Sequence, residues 1–151
     1  MRRYLSVFAL SVLMLGAAAA QDNKAVLAPV HQFADAFNKG DAKAVAATCA
    51  SSASIIDEFA PYEWHGANAC ARWMSAYFAD AKKNGMSGGA VTMGNPRHVD
   101  VSGDQAYVVV PTEFSFKLAG KPTKETGSAL TIVLKKGAQG WQITAWSWTK
   151  G

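Results

Sequence analysis

Metal-ligand motifs, phosphate-binding loops and serine or cysteine nucleophile arrangements are absent from this sequence, and its three histidines and two cysteines are scattered. Metal binding is therefore not expected, and any catalysis should run without a cofactor. Basic clusters are missing too. Lys82-Lys83 and Lys135-Lys136 are short pairs that form no stripe, so nothing follows a nucleic-acid backbone and no nucleic-acid partner is expected. The apolar run from Leu5 to Leu15 is too short for a bilayer span of about 20 residues.

That run lies between Arg2-Arg3 and the small residues Gly16 to Ala20. A basic start, a short apolar stretch and small residues together make a signal-peptide pattern. Residues 1–20 are expected to be removed near Ala20-Gln21, sending the chain to the periplasm or outside the cell; a retained anchor is the rival. Taking 20 from 151 residues leaves 131, enough for one core, so 21–151 is expected to be a single domain. Losing Arg2 and Arg3 lowers the basic count from 15 to 13 against 11 acidic residues. The basic pI then reflects little more than the leader.

Val26, Val30, Phe33 and Phe37 recur with helical spacing. Pro29 interrupts them: either a helix begins there, or a longer one starting near Asp22 is kinked. Asn38-Lys39-Gly40 ends this helix and Asp41 can cap a short second one carrying Val45 and Cys49. Strands are expected over 53–57 and 62–65, with Pro61 in the connection. A third helix should place Cys70, Trp73, Tyr77 and Ala81 on one face, and Asn84-Gly85 should stop it. Strands over 90–101, 106–118, 126–135 and 141–148 follow, the first broken by Gly94-Asn95-Pro96 in a bulge or bend. This order predicts an α+β fold, a curved antiparallel or mixed sheet of about six strands around three helices.

An oxidising compartment favours pairing of Cys49 with Cys70, with two buried thiols as the alternative. If 53–57 and 62–65 form a hairpin, the chain enters near Cys49 and leaves near Cys70 at the same end of the sheet. The two sulfurs are then neighbours.

Phe33-Ala34-Asp35-Ala36-Phe37-Asn38-Lys39-Gly40-Asp41, then Ser51 to Asp57, then His65-Gly66 ahead of Trp73, and finally Gly140-Trp141-Gln142-Ile143, resemble the nuclear-transport-factor-2-like superfamily. The SnoaL-like and ketosteroid-isomerase-like branches are the most similar. The resemblance implies a cystatin-like cone, a sheet closed by helices around a pocket, and is weak for function. It implies that Asp57, at the end of Ala53-Ser54-Ile55-Ile56-Asp57, is the candidate general base. The isomerase-like members also carry an oxyanion-hole tyrosine on the first helix and an aspartic acid on a late strand. Phe33 and the run Leu130-Thr131-Ile132 stand at those positions here. Ketosteroid-type isomerisation is therefore not expected.

Replacement donors would have to come from Tyr62, His65, Tyr77 or His98. His65 is a weak second catalytic candidate, while His98 and His31 read as ordinary surface residues. Asp57 has its own plain alternative, a carboxylate satisfied by the turn from Glu58 to Tyr62. Alternation puts Thr112, Phe114 and Phe116 on the inward face of their strand. With Phe33, Phe37, Ile55, Tyr62, Trp64, Trp73 and Tyr77 they form the expected wall for a small apolar or aromatic ligand. On the last strand Trp146 and Trp148 alternate with Ala145 and Ser147. If the small residues face inward, the tryptophans form an exposed patch suited to a homodimer, the assembly the resemblance also implies. Three functions are consistent with these residues: a ligand-binding pocket, an isomerase, cyclase or dehydratase acting through Asp57, and a non-catalytic interaction domain.

Overall fold

The computed structural model describes the backbone from residue 11 and side chains from residue 23. The signal-peptide reading of residues 1–20 lies outside the residues whose side chains are described. The elements run α1 (Ser11–Asn38), α2 (Ala42–Thr48), β1 (Cys49–Ile56), β2 (Glu63–Ala67), α3 (Ala69–Lys83), β3 (Met86–Met93), β4 (His98–Ser102), β5 (Gln105–Leu118), β6 (Lys121–Gly137) and β7 (Gly140–Thr149). Pro29 lies inside α1 and does not start it. Of the two readings of this proline, the longer helix is the one found, although it starts at Ser11 and not near Asp22.

The helices follow the chemistry of their ends. Asp41 caps α2 by accepting the Ala44 N–H at 2.9 Å. The stripe Val26, Val30, Phe33 and Phe37 is buried along α1, and the opposite face carries polar residues such as His31, Gln32 and Asp35. On α3, Cys70, Trp73, Met74 and Ala81 turn inward.

Seven strands form one open, curved, mixed sheet in the order β2-β1-β7-β6-β5-β3, with β4 also paired to β5. Gly94 to Arg97 split the single strand expected over 90–101 into β3 and β4, which raises the expected count of about six to seven. Both pieces stay on the same edge of β5, held across the break by Gly94 N–H to Pro111 O and Arg97 N–H to Val109 O. β1 and β2 form the expected hairpin, and β1 runs parallel to β7. A tight turn at Ala119-Gly120 lets β6 start at Lys121, five residues earlier than expected, and pair Lys121 with Leu118.

The three helices lie on the concave face. Ile55, Val108, Ile132, Leu134 and Ile143 from the sheet meet Val26, Val30 and Met74 from the helices, all fully buried. Cys49 and Cys70 form a disulfide with their Cα atoms 6.5 Å apart, tying the start of β1 to the first turn of α3. Asn38 holds the β3 edge from the end of α1. Its side chain accepts the Val91 N–H at 2.7 Å and donates to the Val91 carbonyl at 2.9 Å, as a neighbouring strand would.

Candidate active or binding site

The open end of the cone holds a cavity of about 280 Å3. Helical side chains reach it because the stripe of α1 and the inward face of α3 converge there: Phe33 and Phe37 from α1 stack near Trp73 of α3, with ring centres 5.8 Å apart in both pairs. Tyr77 lies one helical turn beyond Trp73, its ring 4.9 Å from that of Phe37. Phe114 and Phe116 complete the opposite side from β5, stacked on each other at 5.1 Å.

Asp57 lies just past the end of β1 and on the cavity wall. Its backbone N–H bonds to the Tyr62 carbonyl at 3.0 Å, closing the turn into β2. Its Oδ1 accepts the Glu58 N–H at 2.7 Å, the local satisfaction expected from the turn. Its Oδ2 accepts from Trp73 Nε1, also at 2.7 Å. Burial among aromatic rings disfavours the charged form more than these two donors favour it, so the carboxyl is pushed up from 3.8 to about 6. Burial, and then the Asp57 charge, push the Tyr77 phenol up to about 12, keeping it a neutral hydroxyl. Gly89 of β3 makes room for that ring: a Cβ there would run into the Tyr77 hydroxyl and the Phe114 ring.

The other sequence candidates lie elsewhere. Ile55 and Trp64 are buried in the core, Trp64 packing on Phe59 at 5.1 Å. Thr112 faces inward as alternation predicts, but it lies in the core away from the cavity wall. Tyr62 is 60% exposed at the turn. His65 is exposed and paired with Glu63 on β2. His98 pairs with Asp100 at 3.0 Å on β4, and His31 is exposed. Of the four alternative donors, only Tyr77 joins Asp57. Among the described residues no group of three or more His, Cys, Asp or Glu side chains is placed to hold a metal ion.

The orientation of β7 corrects the conditional expectation for its tryptophans. Trp146 is buried edge-on against Trp73 at 4.7 Å, and Trp148 stands on the cavity wall against Phe114. The large residues face in, opposite Leu130 and Ile132 of β6, and Ala145 and Ser147 face the other side of the sheet. The exposed tryptophan patch is therefore absent.

Sequence reasoning also missed a polar group at the mouth. Lys150 Nζ reaches Glu58 at 3.0 Å and Glu125 at 2.8 Å, and all three residues line the cavity. Hydrogen bonds to Glu125 and Glu58 hold the Lys150 ammonium above its ordinary pKa.

The sequence that builds this curved sheet over three helices matches the family model of the SnoaL-like domain across residues 26–148. The chain belongs to the SnoaL-like domain family. Solved structures agree on the fold of this SnoaL-like domain. An NTF2-like protein with a cystatin-like fold from Novosphingobium aromaticivorans superposes with a TM-score of 0.73 at 17% identity, covering 96% of this chain and 92% of the other. A ketosteroid isomerase-like protein from Erwinia carotovora atroseptica gives 0.68 at 22% identity, covering 85% and 95%. A protein proposed to be a dehydratase of the NTF2-like family from Streptomyces avermitilis gives 0.72 at 17%, covering 88% and 98%. No curated protein matches the sequence. At these identities the likeness carries the fold and leaves the chemistry of the SnoaL-like site to its own residues.

Proposed function

We propose that this protein is an exported pocket protein that binds a small, apolar or aromatic molecule. The observation that carries the reading is the aromatic cavity of about 280 Å3, near the lower end of the range for small-molecule sites. A cone filled by its own side chains, as a pure interaction domain would have, leaves no such space. Binding of tert-butylbenzene, followed by the fluorescence of the wall tryptophans, is the test. A saturable change with one site per chain supports the reading; no change up to the solubility limit sinks it.

One observation favours a second reading, a cofactor-free isomerase, cyclase or dehydratase. An aspartate pushed up to about 6 is suited to taking and returning a proton near neutral pH. The cavity wall offers it the Tyr77 hydroxyl and the unpartnered Trp146 Nε1, since Trp73 Nε1 is committed to Asp57 itself. A site with so few donors gives limited stabilisation to a developing oxyanion, which ranks catalysis second. Asp57→Asn separates the two readings. It should abolish turnover in an enzyme and leave apolar binding nearly unchanged.

Export rests on residues 1–20 and is supported by the disulfide, which persists in oxidising compartments. Among the described residues no helix is long and apolar enough to cross a membrane. An intact mass beginning at Gln21 in the periplasmic fraction is expected; a cytoplasmic chain that retains Met1 would overturn export. Pairing of two copies remains part of the proposal, through the outer sheet face bearing exposed Ile56, Tyr107 and Val133 in place of the tryptophans. A monomer mass in solution at micromolar protein would reject it.

A further inference from the structure

We propose that the ligand of this cavity is a cation, a small ammonium compound whose body is apolar or aromatic. The inference rests on the pocket reading above and adds the sign of the ligand's charge. Two independent features point the same way, the aromatic wall and the charges set into it.

The ionisable carboxyl and amino groups on the wall are Asp57, Glu58, Asp80, Glu125 and Lys150. Four carboxylates against one ammonium leave three negative charges when all are ionised. Lys150 is already shared between Glu58 and Glu125. It is therefore not free to receive an anionic ligand. Asp80 is bonded only to the amide of Asn84, at 3.0 Å, which brings no charge. Carboxylates in water at the rim are screened and count for little. The weight falls on the two that are withdrawn from solvent.

Asp57 is held among rings. Glu125 is 20% exposed, and its Oε2 is buried without a protein partner while Oε1 takes Lys150. Filling the cavity with a neutral hydrocarbon removes more water from both carboxylates and returns nothing. An anion adds repulsion. An ammonium offsets this by the attraction of its charge to the carboxylates, and its methyl or methylene groups meet the faces and edges of Trp73, Tyr77, Phe37, Phe114 and Trp148. Indole and phenol faces attract such a cation in their own right.

Three probes of nearly the same shape test the charge: phenyltrimethylammonium, its neutral carbon counterpart tert-butylbenzene, and benzenesulfonate. Titrated into the purified protein at low salt and read by tryptophan fluorescence, the cation is expected to bind at least tenfold more tightly than tert-butylbenzene. The two should compete for one site, and benzenesulfonate should not bind. Glu125→Gln should lower the affinity for the cation severalfold relative to that for tert-butylbenzene. Equal or tighter binding of tert-butylbenzene would overturn the cation inference and leave the pocket reading standing. Cation binding that does not compete with tert-butylbenzene, or that Glu125→Gln leaves unaltered, also overturns it. Failure of all three probes overturns both readings.

Discussion

Trp73 Nε1 donates to Asp57 Oδ2 at 2.7 Å, joining the middle of α3 to the end of β1. The same indole ring packs against Phe33, Phe37, Tyr77 and Trp146. One residue thus packs the aromatic wall of the cavity and holds the Asp57 carboxylate against it. These two roles oppose each other in the Asp57 titration, since burial raises the pKa and the N–H lowers it.

Removing the N–H while keeping an aromatic ring should therefore move the Asp57 pKa further above about 6. Trp73→Phe is the variant, and the side-chain carboxyl carbon shift of Asp57 across a pH series is the measurement. A value that falls back toward 3.8 would mean that the indole acts on Asp57 mainly by burying it, and not through its hydrogen bond.

The raised pKa has a consequence for stability. Between 3.8 and about 6 the folded protein holds a proton on Asp57 that the unfolded chain has released. Stability contributed by this group is present at low pH and is lost as pH rises through that window. Two units correspond to roughly 2–3 kcal/mol. Asp57→Asn cannot titrate, so its stability relative to wild type should increase from pH 4 to pH 6 and level off above. Denaturant unfolding of both proteins at several pH values checks this; a constant difference would show that Asp57 has an ordinary pKa.

Much of the fold is legible in the sequence because its signals are periodic. Val26, Val30, Phe33 and Phe37 mark one helical face, and Gly94-Asn95-Pro96 marks the place where the edge strand breaks. Other features depend on pairing and have no local signal. Glu58, Glu125 and Lys150 lie far apart in sequence and meet only because the end of β7 passes the turn after β1 and the start of β6. Trp146 and Trp148 alternate with small residues, a pattern that permits either facing; their register opposite Ile132 and Leu130 decides it. For Asp57, the turn supplies the Glu58 N–H within one residue, so that half was readable. The Trp73 N–H comes from 16 residues away and was not.

Cys49 and Cys70 are separated by 21 positions. Closing a loop of that length restricts the unfolded chain by about 3 kcal/mol. Replacing both cysteines with serine, or reducing the bond, should lower unfolding stability by about that amount. The unreduced chain should be two hydrogens lighter than the reduced one, and two freely alkylated thiols would contradict the pairing.

Asn38 offers a sharper test of how the cone is held together. Its amide makes both bonds that a neighbouring strand would make to Val91. Asn38→Ala leaves the Val91 N–H and carbonyl to water. The pair is largely exposed, so the expected loss is about 1 kcal/mol, with faster hydrogen exchange at the Val91 amide and little change at Val108 in the sheet centre. Uniformly faster exchange would mean that the contact acts on the whole fold.

Gly89 tests the cavity itself, because its backbone lies outside the left-handed region and would accept an alanine without torsional strain. What resists the methyl group is the Tyr77 hydroxyl and the Phe114 ring. Both rings belong to the cavity wall, and a ring pushed off β3 can move only into the cavity or against its neighbours. Gly89→Ala should therefore cost about 1–3 kcal/mol, the usual price of overfilling a packed site, and should weaken tert-butylbenzene binding at least severalfold. Destabilisation with unchanged binding would mean that Tyr77 moves away from the ligand. In that case its hydroxyl does not belong to the binding site, and the second reading loses one of its few donors.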